Sequence, residues 1–301
     1  MSVTVLKPGM LTTVQDTGRF GAQHLGVPVA GPMDWWSHDA ANRLVGNDPR
    51  AATLEITLIG PELELGRDAI ASVVGANFEL NVSGRAVVMN RAFAVAAGER
   101  LSFGRRLAGA RAYLAVRGGF GVPEVLGSRA THVTAALGGF EGRALRRGDA
   151  LPLGSPRAAG PTARGAEPAH LADGTPSMLR ALPGPDATPD AFWKQTFTVS
   201  AQSDRMGYRL DGAALETSGD HLSAAVAMGT VQATPSGICV LLMADRATCG
   251  GYARVATVIN ADLPRAGQLA PGDHLRFSPA TPAEAAAALA RMRGRLPEQA
   301  L

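Results

Sequence analysis

The stretch MGTVQATPSGICVLLMADRATCGGYARVATVIN, residues 228–260, decides how this chain folds. It holds two apolar runs, 238–243 and 255–259, the second rich in β-branched side chains. Runs this short, bounded by Gly and Pro, read as buried strands. Between them lie Asp245, Arg246, Thr248, Cys249, Gly250, Gly251, Tyr252 and Arg254. Loops held by rigid strands are where binding groups collect, and a Gly pair lets backbone approach a ligand or take φ > 0. The same glycines would serve a plain hairpin turn, and residue types alone do not choose between a turn and a site.

Working outward, the rest of the chain carries the same signature. It has 301 residues, 46% apolar and 18% charged, with 36 glycines and 20 prolines. That is ample core material for one large or two ordinary domains. Many turn formers among short Val/Ile/Leu runs favour a mainly β fold of two β units with a few short helices. Only Lys7 and Lys194 are lysines among the 29 basic residues, so the cationic surface is guanidinium, which suits carboxylate and phosphate. An arginine-biased coding composition would produce the same surface. No basic run interleaves with aromatics, which argues against nucleic acid. Cys239 and Cys249 form no CxxC pair and the six histidines are scattered, so no metal site is expected. No signal-peptide core or membrane-length apolar run occurs, and a cytoplasmic location is expected.

Four segments follow: a β-rich part over 1–153, a Pro/Ala/Gly-rich connection over 154–190, a barrel part over 191–280 and a helix over 281–301. In the first, the polar, Gly-punctuated run at 12–21 reads as a loop. A helix is predicted over 34–45, with Asp34 as N-cap and Gly46 just beyond its end. Asn42, on that otherwise apolar helix, reads as buried polar support. Strands are predicted over 3–6, 52–59, 62–65, 69–74, 78–82, 85–89, 100–103 and 111–116. The connection holds one strand, 179–182, and mobility is expected near 155–170. A helical turn over 191–194 precedes strands at 197–200, 209–210, 230–233, 238–243, 255–259 and 274–277. Thr281, Pro282 and Glu284 form a capping box with Pro in the first turn, and Gly294 is placed to stop that helix.

Two short matches suggest an internal repeat: QDTGRFG at 15–21 with QSDRMG at 202–207, and AGERLSF at 97–103 with PGDHLRF at 271–277. No Walker motif or GxSxG elbow is present. Cys249 has no neighbouring base that would make it a nucleophile. Arg19, Arg205 and Arg254 sit in Gly-rich polar loops, as anion anchors or as ion-pair partners of Asp16, Asp204 and Asp245.

Together the motifs are far more specific. TTVQDxGR at 12–19, GVP at 26–28, GxMD at 31–34, ANxLVGN at 41–47, YLAVxGG at 113–119, LGS at 126–128, GGxxGR at 138–143, RMGYRL at 205–210, GTVQ at 229–232 and GGYxR at 250–254 recur in one arrangement. This resembles the allophanate hydrolase subunit 2 family, of the biotin-dependent carboxyltransferase type. Its free-standing branch includes the C-type subunits of bacterial 5-oxoprolinases. The resemblance spans roughly 1–280 and implies a cyclophilin-like β-barrel architecture. It implies ATP, with or without Mg, as the energy source for opening 5-oxoproline to L-glutamate. It also implies a subunit 1-type partner (like the B-type subunit of 5-oxoprolinase), a third lactam-opening subunit and a small-molecule substrate, and activity only in complex. Arg205, Arg254 and Asp245 fall to catalysis, and Gln15, Asp16, Arg19, Gln232, Thr248, Gly250, Gly251 and Tyr252 to substrate or nucleotide binding. Other relatives transfer a carboxyl group from biotin to urea. Neither Lys7 nor Lys194 has the Ala-Met-Lys-Met context of a biotinylated lysine, so a separate carrier would be needed to act on a urea- or amide-like acceptor. A third reading is a non-catalytic regulator acting with a kinase-inhibitor partner. Three positions depart from the usual family runs: Cys249, Ala253 and Asp204.

Overall fold

The computed structural model describes residues 2–155, 165–168, 176–186, 188–216 and 221–298. The fold is mainly β. The chain divides into two compact units: Met1–Phe20, Ala30–Leu171 and Arg295–Leu301 form the first, Gly21–Val29 and Ala172–Gly294 the second.

Among its described residues the first unit is a nine-stranded antiparallel sheet with one helix. In chain order it runs β1 (Ser2–Lys7), β2 (Leu11–Gln15), α1 (Trp35–Leu44), β3 (Thr53–Thr57), β4 (Glu62–Leu65), β5 (Ala69–Val82), β6 (Arg85–Val87), β7 (Ala92–Val95), β8 (Arg100–Val116) and β9 (Ala150–Pro152). The sheet path is β2-β3-β8-β4-β1-β9, and β5 pairs with β6, β7 and β8. Val3, Val5, Leu54, Ile56, Val73, Leu101 and Leu114 build its core, at most 1% exposed.

Two expectations change here. The run at 12–21 is a loop only in its second half, because Leu11–Gln15 is β2, paired from Leu11↔Thr57 to Gln15↔Thr53. Its polar side chains are buried yet bonded: the Thr12 hydroxyl donates to Pro8 O at 2.7 Å and Gln15 Nε2 to Thr131 O at 3.1 Å. A buried strand that satisfies its polar groups needs no apolar alternation. The predicted breaks at 75–77 and 104–110 are bulges within two continuous strands, with register shifts between Gly75 and Leu80. Gly75 has φ +110, and a Cβ there would press on the Arg111 carbonyl. A bulge absorbs an extra residue without ending the strand.

Asp34 caps α1, accepting from Ser37 N at 2.9 Å and the Ser37 hydroxyl at 2.7 Å. Asn42 is fully buried; its Nδ2 donates to Ala51 O at 2.8 Å and its Oδ1 accepts from Asn47 at 3.0 Å. Beneath the helix the Tyr113 hydroxyl donates to Glu55 at 2.7 Å and accepts from Asp34 N at 2.8 Å. Burial, reinforced by the Glu55 and Asp34 charges, pushes the Tyr113 phenol well above its ordinary range, so it stays a neutral donor. Tyr113→Phe removes both bonds inside the core and is expected to destabilise the unit by about 1–3 kcal/mol in urea unfolding. A change below about 0.5 kcal/mol would show that this network contributes nothing to the core.

The second unit is built on a closed seven-stranded barrel. It runs β10 (Ser177–Pro183), α2 (Asp190–Lys194), β11 (Phe197–Val199), β12 (Gly207–Asp211), β13 (Ala224–Ala225), β14 (Thr230–Ala233), β15 (Cys239–Leu242), β16 (Cys249–Gly250), β17 (Ala253–Val258), α3 (Leu263–Gly267), β18 (His274–Pro279) and α4 (Pro282–Arg293). Strands close in the order β10-β17-β14-β15-β12-β11-β18, with β18 parallel to β10. The strand foreseen inside the connection is thus a barrel stave. Mobility expected over 155–170 falls largely outside the described residues. Phe192, Phe197 and Phe277 pack with ring centroids 4.7–5.7 Å apart. Thr281 caps α4 in a full capping box, with Glu284 N donating to its hydroxyl at 3.2 Å and Thr281 N donating to Glu284 at 2.7 Å.

The repeat motifs make matching turns. Glu99 N donates to Ala96 O and Asp273 N to Ala270 O, with Gly98 and Gly272 at φ +79 and +90. Each acid then accepts from the turn's first N–H, Ala96 at 2.7 Å and Ala270 at 2.8 Å. Positive φ at the third position is the type II signature. No helix among the described residues is long and apolar enough to cross a membrane.

Candidate functional site

The segment between β15 and β17 is pinned against the chain around β13. Ala224 pairs with Gly250 and Ala225 with Cys249, Val226 N donates to Thr248 O at 3.1 Å, and Arg246 Nε donates to Val226 O at 3.2 Å. Gly250 and Gly251 are there for close approach. A Cβ on Gly250 would lie 2.5 Å from Gln232 Nε2, and one on Gly251 would lie 3.1 Å from Ser223 Oγ. Gln232 is 5% exposed and donates to Tyr252 O at 3.4 Å. A bulge that places Val255 of β17 as an extra residue opposite the Val231–Gln232 step of β14 sets Gln232 opposite Arg254. The Tyr252 ring itself is about half exposed, and the Cys249 side chain is open to solvent. Cys239, by contrast, is buried, and burial pushes its thiol up to about 12.

Arg254 is oriented by Asp186. Its N–H donates to Asp186 Oδ2 at 2.8 Å and its Nε reaches the same oxygen at 3.4 Å. The other carboxylate oxygen lies 3.6 Å from His221 Nδ1. The Arg254 N–H, then its guanidinium and His221, hold the Asp186 carboxyl below the usual range. Gly184 allows this placement, because a Cβ there would overlap the Arg254 carbonyl oxygen. Arg254 keeps a side chain 29% exposed, so its guanidinium is oriented yet reachable.

Arg205 and Asp245, expected in catalysis, are placed differently. Nε–Oδ2 and Nη2–Oδ1 are both 3.0 Å, each side chain is 5% exposed, and Asp245 N also donates to Arg205 O. Two buried charges that face one another in a bidentate pair have no spare face for a substrate. Their placement is that of a brace at the base of the loop.

In the first unit, Gln15, Asp16 and Arg19 converge on the segment 125–131. Asp16 accepts from Gly18 N at 2.9 Å, the Ser128 hydroxyl at 2.6 Å and Arg129 N at 2.5 Å. Arg19 is fully buried and donates to Val125 O at 2.8 Å and Ala130 O at 2.9 Å. Between those carbonyls Leu126 is held at φ +52, a conformation that costs roughly 1–2 kcal/mol. These side chains hold the strained segment through its backbone carbonyls, one backbone N–H and the Ser128 hydroxyl.

Comparison with known proteins settles the family. The model of the carboxyltransferase domain, subdomains A and B, matches residues 25–279. The chain belongs to this carboxyltransferase family. It is 40% identical to the C-type subunit of the 5-oxoprolinase of Escherichia coli K12, over 91% of this chain and 89% of that protein. It is 35% identical to the corresponding 5-oxoprolinase subunit of Haemophilus influenzae, over 94% and 93%. The crystal structure of the K. lactis urea amidolyase superposes with a TM-score of 0.91 at 30% identity, covering all of this chain but a fifth (20%) of that one.

Within this carboxyltransferase fold, Asp186 and His221 were not singled out from sequence. Gly184, Pro185 and Asp186 carried only a turn signal, in a stretch taken for a connection. Their meaning depends on β10 lying beside β17, paired from Ala181↔Val258 to Pro183↔Ala256. Lys7 lies on β1 paired with Glu62 at 2.6 Å, and Lys194 lies on α2 paired with Asp190 at 2.9 Å.

Proposed function

We propose that this chain is the carboxyltransferase-type subunit of an ATP-dependent 5-oxoprolinase, opening 5-oxoproline to L-glutamate with a subunit 1-type partner and a third, lactam-opening subunit. The observation that carries this reading is the end-to-end match to proteins of that name, 91% of this chain on 89% of theirs. A lactam is a poor electrophile, and phosphorylating its oxygen makes attack by water feasible; ATP would supply that phosphoryl group. This chain's part is to bind and orient. Arg254, aimed by Asp186, is the group for a carboxylate or a developing oxyanion, beside the close-packed backbone of Gly250 and Gly251 and the Gln232 amide. Arg205 and Asp245 brace that loop from beneath.

A second reading is transfer of a carboxyl group from biotin on a separate carrier to a urea- or amide-like acceptor. The carboxyltransferase family model and the superposition on urea amidolyase favour it. One experiment separates the two. The chain is co-expressed with the subunit 1-type partner and the third subunit, and phosphate and glutamate release are followed. The expected result is ATP hydrolysis that depends on 5-oxoproline, with one glutamate formed per phosphate. An assembled complex that hydrolyses no ATP on adding 5-oxoproline sinks the first reading, and carboxylation of urea by a biotinylated carrier in its place establishes the second.

A further inference from the structure

Asp186 lies on the turn that follows β10, and β17 fixes the backbone of that turn. Gly184 N donates to Val255 O at 2.9 Å, and the Thr188 hydroxyl donates to the same oxygen. The carboxylate is not fixed in this way, because the terminal torsion of an aspartate is broad and has no single preferred setting. Its rotation is set by what meets its two oxygens. Oδ2 takes the Arg254 N–H at 2.8 Å and the Arg254 Nε–H at 3.4 Å. Oδ1 meets His221 Nδ1 at 3.6 Å, too long for a hydrogen bond and close enough for an electrostatic contact.

His221 reaches this carboxylate from a third segment. It opens the stretch that leads into β13, which is laddered onto β16 by Ala224↔Gly250 and Ala225↔Cys249. A Cβ on Gly251 would lie 3.7 Å from the His221 carbonyl oxygen, so the same residue also borders the glycine pair. The imidazole Nε2 is enclosed and has no hydrogen-bond partner among the described residues. With a carboxylate facing one ring nitrogen and no acceptor facing the other, a proton belongs on Nδ1. An Nδ1–H directed at Oδ1 keeps that oxygen on the His221 side and leaves Oδ2 turned to Arg254.

We propose that His221 is a positioning residue of this site. It fixes the rotation of the Asp186 carboxylate through Oδ1 and thereby sets the direction in which the Arg254 guanidinium is offered. One carboxylate then couples three segments, 184–186, 221–226 and 249–254, so Arg254 and the Gly250–Gly251 backbone are set together. The consequence for turnover rests on the function proposed above, whereas the orientation of Arg254 does not.

Three replacements separate this role from simple packing. His221→Ala removes the contact, and the ladder of β13 on β16 is made by backbone, so the fold persists. His221→Asn keeps an N–H near the place of Nδ1, whereas His221→Gln puts one near the place of Nε2. Heteronuclear NMR on the full chain is expected to find a proton on Nδ1 of the wild-type ring. The Arg254 backbone and Nε–H resonances are expected to shift in His221→Ala, to return in His221→Asn and to stay displaced in His221→Gln. In the assembled complex, His221→Ala is expected to lower kcat on the order of 10-fold, the scale of a misplaced group rather than a missing one. Added to Arg254→Ala, the same replacement is expected to cost less than about 2-fold more, because the guanidinium it positions is gone. Unmoved Arg254 resonances in His221→Ala, rescue by Gln in place of Asn, a ring protonated only at Nε2, unchanged kcat in His221→Ala, or an equal further loss on Arg254→Ala each overturns the proposal. Displaced Arg254 resonances in a chain whose wild-type complex hydrolyses no ATP on adding 5-oxoproline remove the proposed function and leave His221 in place. Unmoved resonances with normal turnover do the reverse.

Discussion

Arg205→Ala is expected to lower the stability of the barrel unit by about 3–5 kcal/mol, the usual penalty for stripping one member from a buried ion pair. The truncation removes both 3.0 Å bonds to Asp245 and leaves that carboxylate 5% exposed without its counter-charge. The backbone bond from Asp245 N to Arg205 O remains, so the loss is electrostatic rather than a break in the chain path. Guanidinium unfolding followed by circular dichroism measures it. Replacing both partners with apolar residues of similar volume, Arg205→Met with Asp245→Leu, is expected to recover part of the loss, because neither member of the pair is then left buried without the other, although Arg246 loses the nearby Asp245 charge. A single variant within about 1 kcal/mol of the parent would show that water reaches the pair in solution, and the brace would be discarded.

Arg254→Ala is expected to lower turnover of the assembled complex by at least about 100-fold, the scale of losing one preorganised donor to a developing oxyanion. Folding and assembly should persist, because the strongest tie to Asp186 is the backbone N–H at 2.8 Å, which alanine keeps. Arg254→Lys should fall between, since a point charge cannot reproduce a planar fork. Asp186 has a lowered carboxyl pKa, so its contribution is present above the unfolded value and disappears only as pH falls through the lower folded one. The defect should therefore be level between about pH 6 and 8. Wild-type turnover in Arg254→Ala would remove this guanidinium from the chemistry and leave Asp186 with a purely structural role.

Several elements were legible because a local rule and the tertiary context agree. Thr281, Pro282 and Glu284 specify a helix start by their own hydrogen bonds, and α4 begins there. Asp34 caps α1 for the same reason. The apolar runs at 238–243 and 255–259 became β15 and β17, since burying β-branched side chains on both faces needs only neighbours of any kind. The polar strand β2 was not legible, because its burial is licensed by partners more than 40 or 100 residues away: Thr57 across the ladder and Thr131 at the Gln15 amide.

The candidate site divides along the same line. By itself the sequence determined the mainly β class, the family motifs, and the loop at 244–254 whose guanidinium, phenol and glycines a site would need. It could not say that Gly250 exists to admit the Gln232 amide, or that Arg254 leans on Asp186 from a stretch that looked like a connection. Nor could it divide the arginines into those bonded to backbone carbonyls or a buried acid, Arg19 and Arg205, and one whose guanidinium stays partly exposed, Arg254. All three read alike as cations in Gly-rich loops. What separates them is which oxygen atoms the fold brings within 3 Å, and that is decided by strand pairing across the whole chain.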